Sequence, residues 1–308
     1  MKIAVLGPGG VGGLVAGALE QAGNEVLIVA QASTASTIAE RGLRVESVKF
    51  GEIVSHPRVL ERLEEPVEAL IVATKAAGLQ SALERIAEPP DLVLPLLNGL
   101  DHIPLLRERF TPASVLAGAI RVEADRPEPG VIMHTSPFLL IAMASHEPAV
   151  ATAMDALAGT LSDAGIPTKV FPSEAEVMWS KLVRLNALAC TTSAYDKLLG
   201  GIRSAPQAQA DLDGAIAEAA AVAHAEGALG IDVAKTLEEV KGIPDTFGTS
   251  MQRDIAAGRE PELDAIPGSV LRAAARHGID CPTIERLVRM IAERIGVPAP
   301  IPGAGDGT

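Results

Sequence analysis

Near the N-terminus, Gly7-Pro8-Gly9-Gly10-Val11-Gly12 has the spacing G-x-G-x-x-G. That spacing brings backbone against phosphate. One glycine turns the chain tightly, the next lets the main chain approach a pyrophosphate, and the last permits close packing of helix on strand. A helix opening there adds oriented N–H groups and the positive end of its dipole. The ligand implied is a dinucleotide. Its ribose is read ~20 residues further on, at the end of the second strand, where an acid favours NAD and an arginine NADP. Ala30-Gln31-Ala32-Ser33-Thr34 occupies that place. Gln31, Ser33 and Thr34 can hydrogen-bond a hydroxyl or a phosphate, so NADP and NAD both stay open.

Such a loop works only between a strand and a helix, and the flanking residues supply both. Lys2–Leu6 reads as a compact apolar strand, Val11–Ala22 has helical spacing closed by Gly23, and Glu25–Ala30 is a second buried strand. A polar helical segment follows to about Arg41. Ala69–Thr74 and Leu92–Leu97 are further strands, with helix-compatible Ala76–Ala87 between them. This alternation predicts βαβ units and a mostly parallel sheet with helices on both faces. From Ser114 to Ala144 strand-like runs follow one another, with turn residues at Asp125–Gly130; they are expected to pair antiparallel and extend the sheet. A helix over Pro148–Ala164 and a strand at Pro167–Phe171 would close the domain. After Pro172 strand signals nearly vanish. Glu174–Tyr195, Pro206–Gly227, Val233–Val240, Asp245–Ala257, Ile266–His277 and Pro282–Ile295 read as helices. The expected organisation is a dinucleotide-binding domain over 1–172, a helical domain over 173–297 and a frayed tail over 298–308.

Composition removes several classes of function. Net charge is 26 − 39 = −13 and aromatics are only 2% of the 308 residues. A nucleic-acid binder needs the opposite charge, and a single-strand binder needs exposed rings, so no nucleic-acid partner is expected. The uncharged stretch Ile3–Leu19 mimics a signal peptide, but six glycines and Pro8 interrupt it, and no other run suits a bilayer. No membrane association is expected. Cys190 and Cys281 match no metal spacing and make no disulfide scaffold, which fits a reducing cytoplasm. His134, His224 and His277 are scattered, so no metal is expected.

Four more segments carry a resemblance. Thr74-Lys75-Ala76 ends a strand, Asn98-Gly99-Leu100 follows another, and Trp179-Ser180-Lys181-Leu182 lies early in the first helix of the second domain. Thr249-Ser250-Met251-Gln252-Arg253-Asp254-Ile255-Ala256-Ala257-Gly258-Arg259 leads to Glu262-Leu263-Asp264-Ala265-Ile266. In this order and spacing they resemble the ketopantoate reductase family of 2-keto acid reductases, over nearly the whole chain. The resemblance implies an α/β Rossmann-type N-terminal domain plus an all-α C-terminal domain, with the active site in the cleft between them. It implies Lys181 as the catalytic lysine, Glu262 as the acid, Asn98 as the cleft asparagine and Ser250 as a substrate contact. Lys75 matches a lysine that helps hold the cofactor, NADP with NAD as the alternative. A small keto acid substrate and a homodimer follow from the same resemblance.

These residue types suit the chemistry. Hydride delivery to a keto carbon leaves an alkoxide, which needs a proton donor or fixed positive charge nearby. A lysine whose pKa is lowered by burial can serve both ends. Glu262 can pair with it or bind a substrate hydroxyl, and Ser250 can bind a carboxylate. As bare residues, Lys181 also reads as a solvated helix lysine, Asn98-Gly99 as a turn, Glu262 as a surface charge and Cys190 as packing.

The departures bear on substrate. Members of the family usually carry Asn four and eight residues after the lysine, where this chain has Leu185 and Ala189. Asn186 lies one position further, about 100° around the helix, as a candidate replacement. Gln31 stands where NADP-specific members carry arginine, and Pro267 where asparagine is usual. A less polar pocket is expected. The function implied is NAD(P)H-dependent reduction of a 2-keto acid to a 2-hydroxy acid, as from ketopantoate to pantoate in pantothenate biosynthesis. The alternatives are a relative acting on a more apolar keto acid, another hydroxyacid or opine-type dehydrogenase, and a nucleotide-binding protein without catalysis.

Overall fold

A computed structural model describes residues 1–302. The chain divides into two units, Met1–Leu97 with His102–Val177, and Asn98–Asp101 with the chain from Met178 onward. Among the described residues no helix is long and apolar enough to cross a membrane.

The first unit opens β1 (Lys2–Leu6), α1 (Gly10–Gln21), β2 (Glu25–Val29), α2 (Ala32–Arg41), β3 (Leu43–Ser47), β4 (Gly51–Ser55) and β5 (Arg58–Leu60). It continues through β6 (Ala69–Val72), α3 (Leu79–Leu83), β7 (Leu92–Pro95) and α4 (His102–Arg109). Then come β8 (Ala117–Arg121), β9 (Ala124–Glu128), β10 (Val131–His134), β11 (Leu140–Ala144), α5 (Ala151–Asp163) and β12 (Thr168–Val170). The main sheet runs β5-β2-β1-β6-β7, parallel throughout. Its strands are β-branched or leucine-rich and buried on both faces, as a sheet covered twice requires. Strand order reverses at β1, which has β2 on one side and β6 on the other. The carboxyl ends around such a reversal are where α/β sheets take nucleotides. This is the Rossmann arrangement.

Two expectations about strands need correction. β3, β4 and β5 fill a stretch between Arg41 and Ala69 that the apolar runs leave blank, because their alternation is short and half polar. The runs after Ser114 do pair antiparallel, β8 with β11 and β9 with β10, but they do not jointly extend the main sheet. β9 and β10 join β3 and β4 in a separate sheet of order β4-β3-β10-β9. β8 belongs to a third sheet, β12-β11-β8, and meets β7 through Leu116 N–H donating to the Val93 carbonyl at 2.9 Å. The cause lies in α1. A Cβ on Gly13 would stand 2.5 Å from Ile132, and one on Gly17 2.9 Å from Val45. Those bare positions let the second sheet lie directly on the helix, whose other side packs on the first.

The second unit carries α6 (Glu174–Tyr195) from Met178 onward, then α7 (Leu199–Arg203), α8 (Pro206–Ala225), α9 (Val233–Lys241), α10 (Ser250–Ala256), α11 (Ser269–His277) and α12 (Pro282–Ile295). Prolines open α8 and α12 where no N–H is needed, and left-handed Gly278 and Gly296 end α11 and α12. The helix expected from Asp245 starts only at Ser250, capped by Thr249, because the Asp245 and Phe247 carbonyls accept from Gly200 and Leu199 instead. Ahead of α11, Asp264–Gly268 forms a π-turn. Pro267 has no N–H to give Leu263, and the wider turn lets Gly268 N–H serve that carbonyl at 3.1 Å. Of the expected tail 298–308, the last six residues lie outside the described residues.

Candidate active site

At the end of β1 the chain turns through Gly7, whose φ of +91° suits glycine. Gly10 and Gly12 are forced by contact, since a Cβ on either would lie 2.2 Å from a backbone oxygen, that of Ala124 or of Gly7. Gly9 differs. The nearest atom to its Cβ position is 4.0 Å away, so its open side is where another molecule's atoms can approach. Pro8 is buried beside it and Val11 half-buried. Gly9 caps α1 without a side chain, and the first internal bond is Gly13 N–H to the Gly9 carbonyl at 2.8 Å. Gly9 N–H is taken by the Gly7 carbonyl at 2.8 Å, but the amides of the first helical turn, Gly10 to Gly12, precede the first intrahelical bond and suit a pyrophosphate. Gln31, exposed at the start of α2, and Lys75, exposed beyond β6, follow the strands flanking β1. The loop, Gln31 and Lys75 therefore lie together at the carboxyl ends of the central strands, and the residues fit a dinucleotide.

The second unit assembles a different site. Lys181 Nζ donates to Asn98 Oδ1 at 2.7 Å, and Asn98 Nδ2 donates to Glu262 Oε2 at 2.8 Å. An ammonium needs an acceptor and a carboxylate needs a donor; an asparagine amide offers one of each. Charge at both ends strengthens both bonds. Residues 83 and 164 positions apart in the chain thus form one line. All three side chains are half-buried.

Rigid supports hold this line. Lys181 projects from α6, a helix anchored by Trp179, Leu182 and Val183, all buried. Asn98 precedes Gly99, whose φ is +85° and whose Cβ would lie 1.9 Å from the Ala265 carbonyl oxygen. Glu262 leads into the π-turn, its carbonyl accepting from Ile266 N–H at 3.0 Å. Arg272, on α11, reaches both segments. It donates to Asp101 Oδ2 through Nη2 at 2.6 Å and Nε at 3.2 Å, and to Asp264 Oδ1 at 2.6 Å and the Asp264 carbonyl at 2.9 Å.

Other candidates lie elsewhere. Ser250 is exposed as the first residue of α10 and hydrogen-bonds to none of the three. Asn186 is wholly buried inside the helical unit, where its Oδ1 faces the Cys190 thiol at 3.6 Å. Leu185 is half-buried and Ala189 buried. Burial pushes the Cys190 thiol far up, and Cys281 up to about 12, which makes both packing residues and not nucleophiles. Sequence reasoning missed Arg272 and Asp101. Arg272 and Asp101 stand 171 positions apart, so only tertiary contact reveals the pair.

Residues 3–144 match the family profile described as "Ketopantoate reductase PanE/ApbA", and residues 175–295 match "Ketopantoate reductase PanE/ApbA C terminal". The chain belongs to the ketopantoate reductase family. A relative from Mycobacterium tuberculosis (strain CDC 1551 / Oshkosh), named 2-dehydropantoate 2-reductase, is 30% identical over 94% of this chain and 96% of its own. One of the same name from Halobacterium salinarum is 28% identical over 96% of this chain and all of its own. Among solved structures, a ternary complex of D-mandelate dehydrogenase with NADH and anilino(oxo)acetate superposes with a TM-score of 0.87 at 23% identity, covering 97% of this chain and 100% of that one. That likeness shows the fold. Membership in the ketopantoate reductase family makes the protein an oxidoreductase that reduces a 2-keto acid to the 2-hydroxy acid with a pyridine nucleotide.

Proposed function

We propose that the protein is a 2-dehydropantoate 2-reductase, reducing ketopantoate to pantoate for pantothenate biosynthesis, with a modest preference for NADPH over NADH. The observation that carries this is the line Lys181–Asn98–Glu262. The reduced nicotinamide supplies the hydride when bound. Lys181 Nζ donates to the keto oxygen, stabilises the charge that develops there and delivers the proton that completes the hydroxyl. Asn98 aims the ammonium, and Glu262 balances its charge through the amide and binds a substrate hydroxyl. Ser250 offers its exposed hydroxyl to the substrate carboxylate. Gly7–Gly12 cradle the pyrophosphate, Gln31 meets the ribose and Lys75 the adenosine side.

Gln31 supports the weak NADPH preference, because a glutamine gives a 2′-phosphate hydrogen bonds but no charge. A charge-assisted contact contributes about 1.5–3 kcal/mol, so NADPH and NADH affinities should lie within about ten- to a hundredfold. A preference above about a thousandfold would assign the phosphate to another basic group such as Lys75 or Arg41. Two buried free thiols support a reducing, cytoplasmic setting. The aliphatic helical unit supports a homodimer, which a one-chain mass in sedimentation at micromolar concentration would contradict.

The test is a substrate panel with purified protein, followed at the nicotinamide absorbance with each cofactor. Ketopantoate should give the highest kcat/KM. An aromatic keto acid preferred by more than about tenfold would replace the substrate assignment.

A further inference from the structure

We infer that Arg272 is a positioning residue for catalysis, the clamp that sets Asn98 and Glu262 in register. This rests on the reading of Lys181 given above. Asn98 and Glu262 come from separate stretches of chain, joined by their own hydrogen bond and by the close approach of Gly99 to the Ala265 carbonyl. Arg272 braces that junction from outside. Two arms of its guanidinium hold Asp101, three residues after Asn98, at 2.6 and 3.2 Å. It also takes the carboxylate and the carbonyl of Asp264, two residues after Glu262, at 2.6 and 2.9 Å. A rigid planar fork suits this work, since one cation fixes two carboxylates at a set separation and angle. Both partners hold Arg272 fully cationic, its pKa raised although burial alone would lower it.

The packing beneath is consistent with a clamp. Gly99 lies directly against the Ala265 carbonyl, so the Asn98 loop and the π-turn touch between the two ends that Arg272 holds. Ser269 Oγ–H donates to the Ile266 carbonyl at 3.0 Å and firms the same turn. A π-turn carries a bond register that an α-helix would reclaim, so the Glu262 end needs an outside hold more than an ordinary helix start does. With Arg272 lost, Asn98 and Glu262 remain chemically intact but drift apart. Lys181 then loses its aim and not its charge.

Loss of aim has its own kinetic signature. A misplacement of the order of an ångström costs about a hundredfold in rate while leaving cofactor binding alone. Arg272→Gln should therefore lower kcat by about ten- to a hundredfold, with little change in NADPH affinity or melting temperature. Added methylguanidinium should restore part of kcat, and Arg272→Lys should recover less than full activity because an ammonium lacks the fork. Asp101→Asn, which frees only the loop end, should fall between wild type and Arg272→Gln, and combining the two should cost no more than Arg272→Gln alone. Full kcat in either Arg272→Gln or Asp101→Asn would overturn the inference. So would an Arg272→Gln protein whose kcat and melting temperature fall together without methylguanidinium rescue. Lys181→Ala run alongside separates the two readings. If it retains full turnover, the lysine assignment itself fails; if it loses turnover while Arg272→Gln does not, only the clamp fails.

Discussion

The glycine loop and the Lys181–Asn98–Glu262 line are built by opposite means. The loop is built on absent side chains, within six consecutive residues, where a Cβ on Gly10 or Gly12 would lie 2.2 Å from a backbone oxygen. The line is built from present side chains, brought from three distant positions and joined by bonds of 2.7 and 2.8 Å. On the proposed function, the first region binds by shape and fixed dipoles and the second acts where charge develops during reaction. Damage to the two should therefore show on different axes, affinity for the first and turnover for the second.

The largest effect expected is at Lys181. Lys181→Ala should cut turnover about 10²–10⁴-fold and leave NADPH affinity near wild type, since its contact strengthens only as hydride arrives. Steady-state kinetics with a parallel cofactor titration checks both halves. Next come the glycines, and they separate from each other. Gly10→Ala drives a methyl into the Ala124 carbonyl and should lower both melting temperature and NADPH affinity, at about 1–3 kcal/mol of overpacking. Gly9→Ala meets only the Ala73 carbonyl oxygen, at an unstrained 4.0 Å, so it should keep its melting temperature and lose affinity alone. Equal melting losses in both variants would break that distinction.

Smaller effects sharpen the comparison further. Gln31→Arg should raise the NADPH to NADH affinity ratio about ten- to a hundredfold without altering kcat, read by paired titrations. Glu262→Gln should give a milder loss than Lys181→Ala, shared between kcat and KM, because the amide can still hydrogen-bond but carries no charge. The smallest effect is on the stability of the α/β unit with pH. His134 is buried, with Ser47 Oγ 2.8 Å from its Nδ1, and burial holds its pKa below the usual 6.5. The unfolded chain takes up this proton first, so the contribution is present above about pH 6.5 and is lost as pH falls through the folded value. Thermal melts should drop on acidification below that point, and His134→Gln should flatten part of the slope.

The two regions were unequally legible in the sequence, for a physical reason. A phosphate loop is local, so Gly7–Gly12 between Lys2–Leu6 and a helix announces itself. The buried β-branched strands and the proline- and glycine-bounded helices are local in the same sense. Lys181, Asn98 and Glu262 gain their meaning only from tertiary contact, and resemblance to a family was the means of finding them. The second sheet was missed although its trace was present. Gly10, Gly13 and Gly17 stand three and four residues apart on one face of α1, and a face without side chains on a buried helix marks where another layer packs. The π-turn likewise had its sign in Pro267, whose missing N–H forces a change of register.

If the loop binds and the line reacts, as proposed, each should act without the other. The double variant Gly9→Ala/Lys181→Ala tests it most directly, with NADPH affinity and single-turnover hydride transfer measured on one preparation at saturating cofactor. The double variant should show the affinity loss of Gly9→Ala alone and the rate loss of Lys181→Ala alone, additive to within about 0.5 kcal/mol. A coupling well beyond that, or a Lys181→Ala background in which hydride transfer is undiminished, would contradict it.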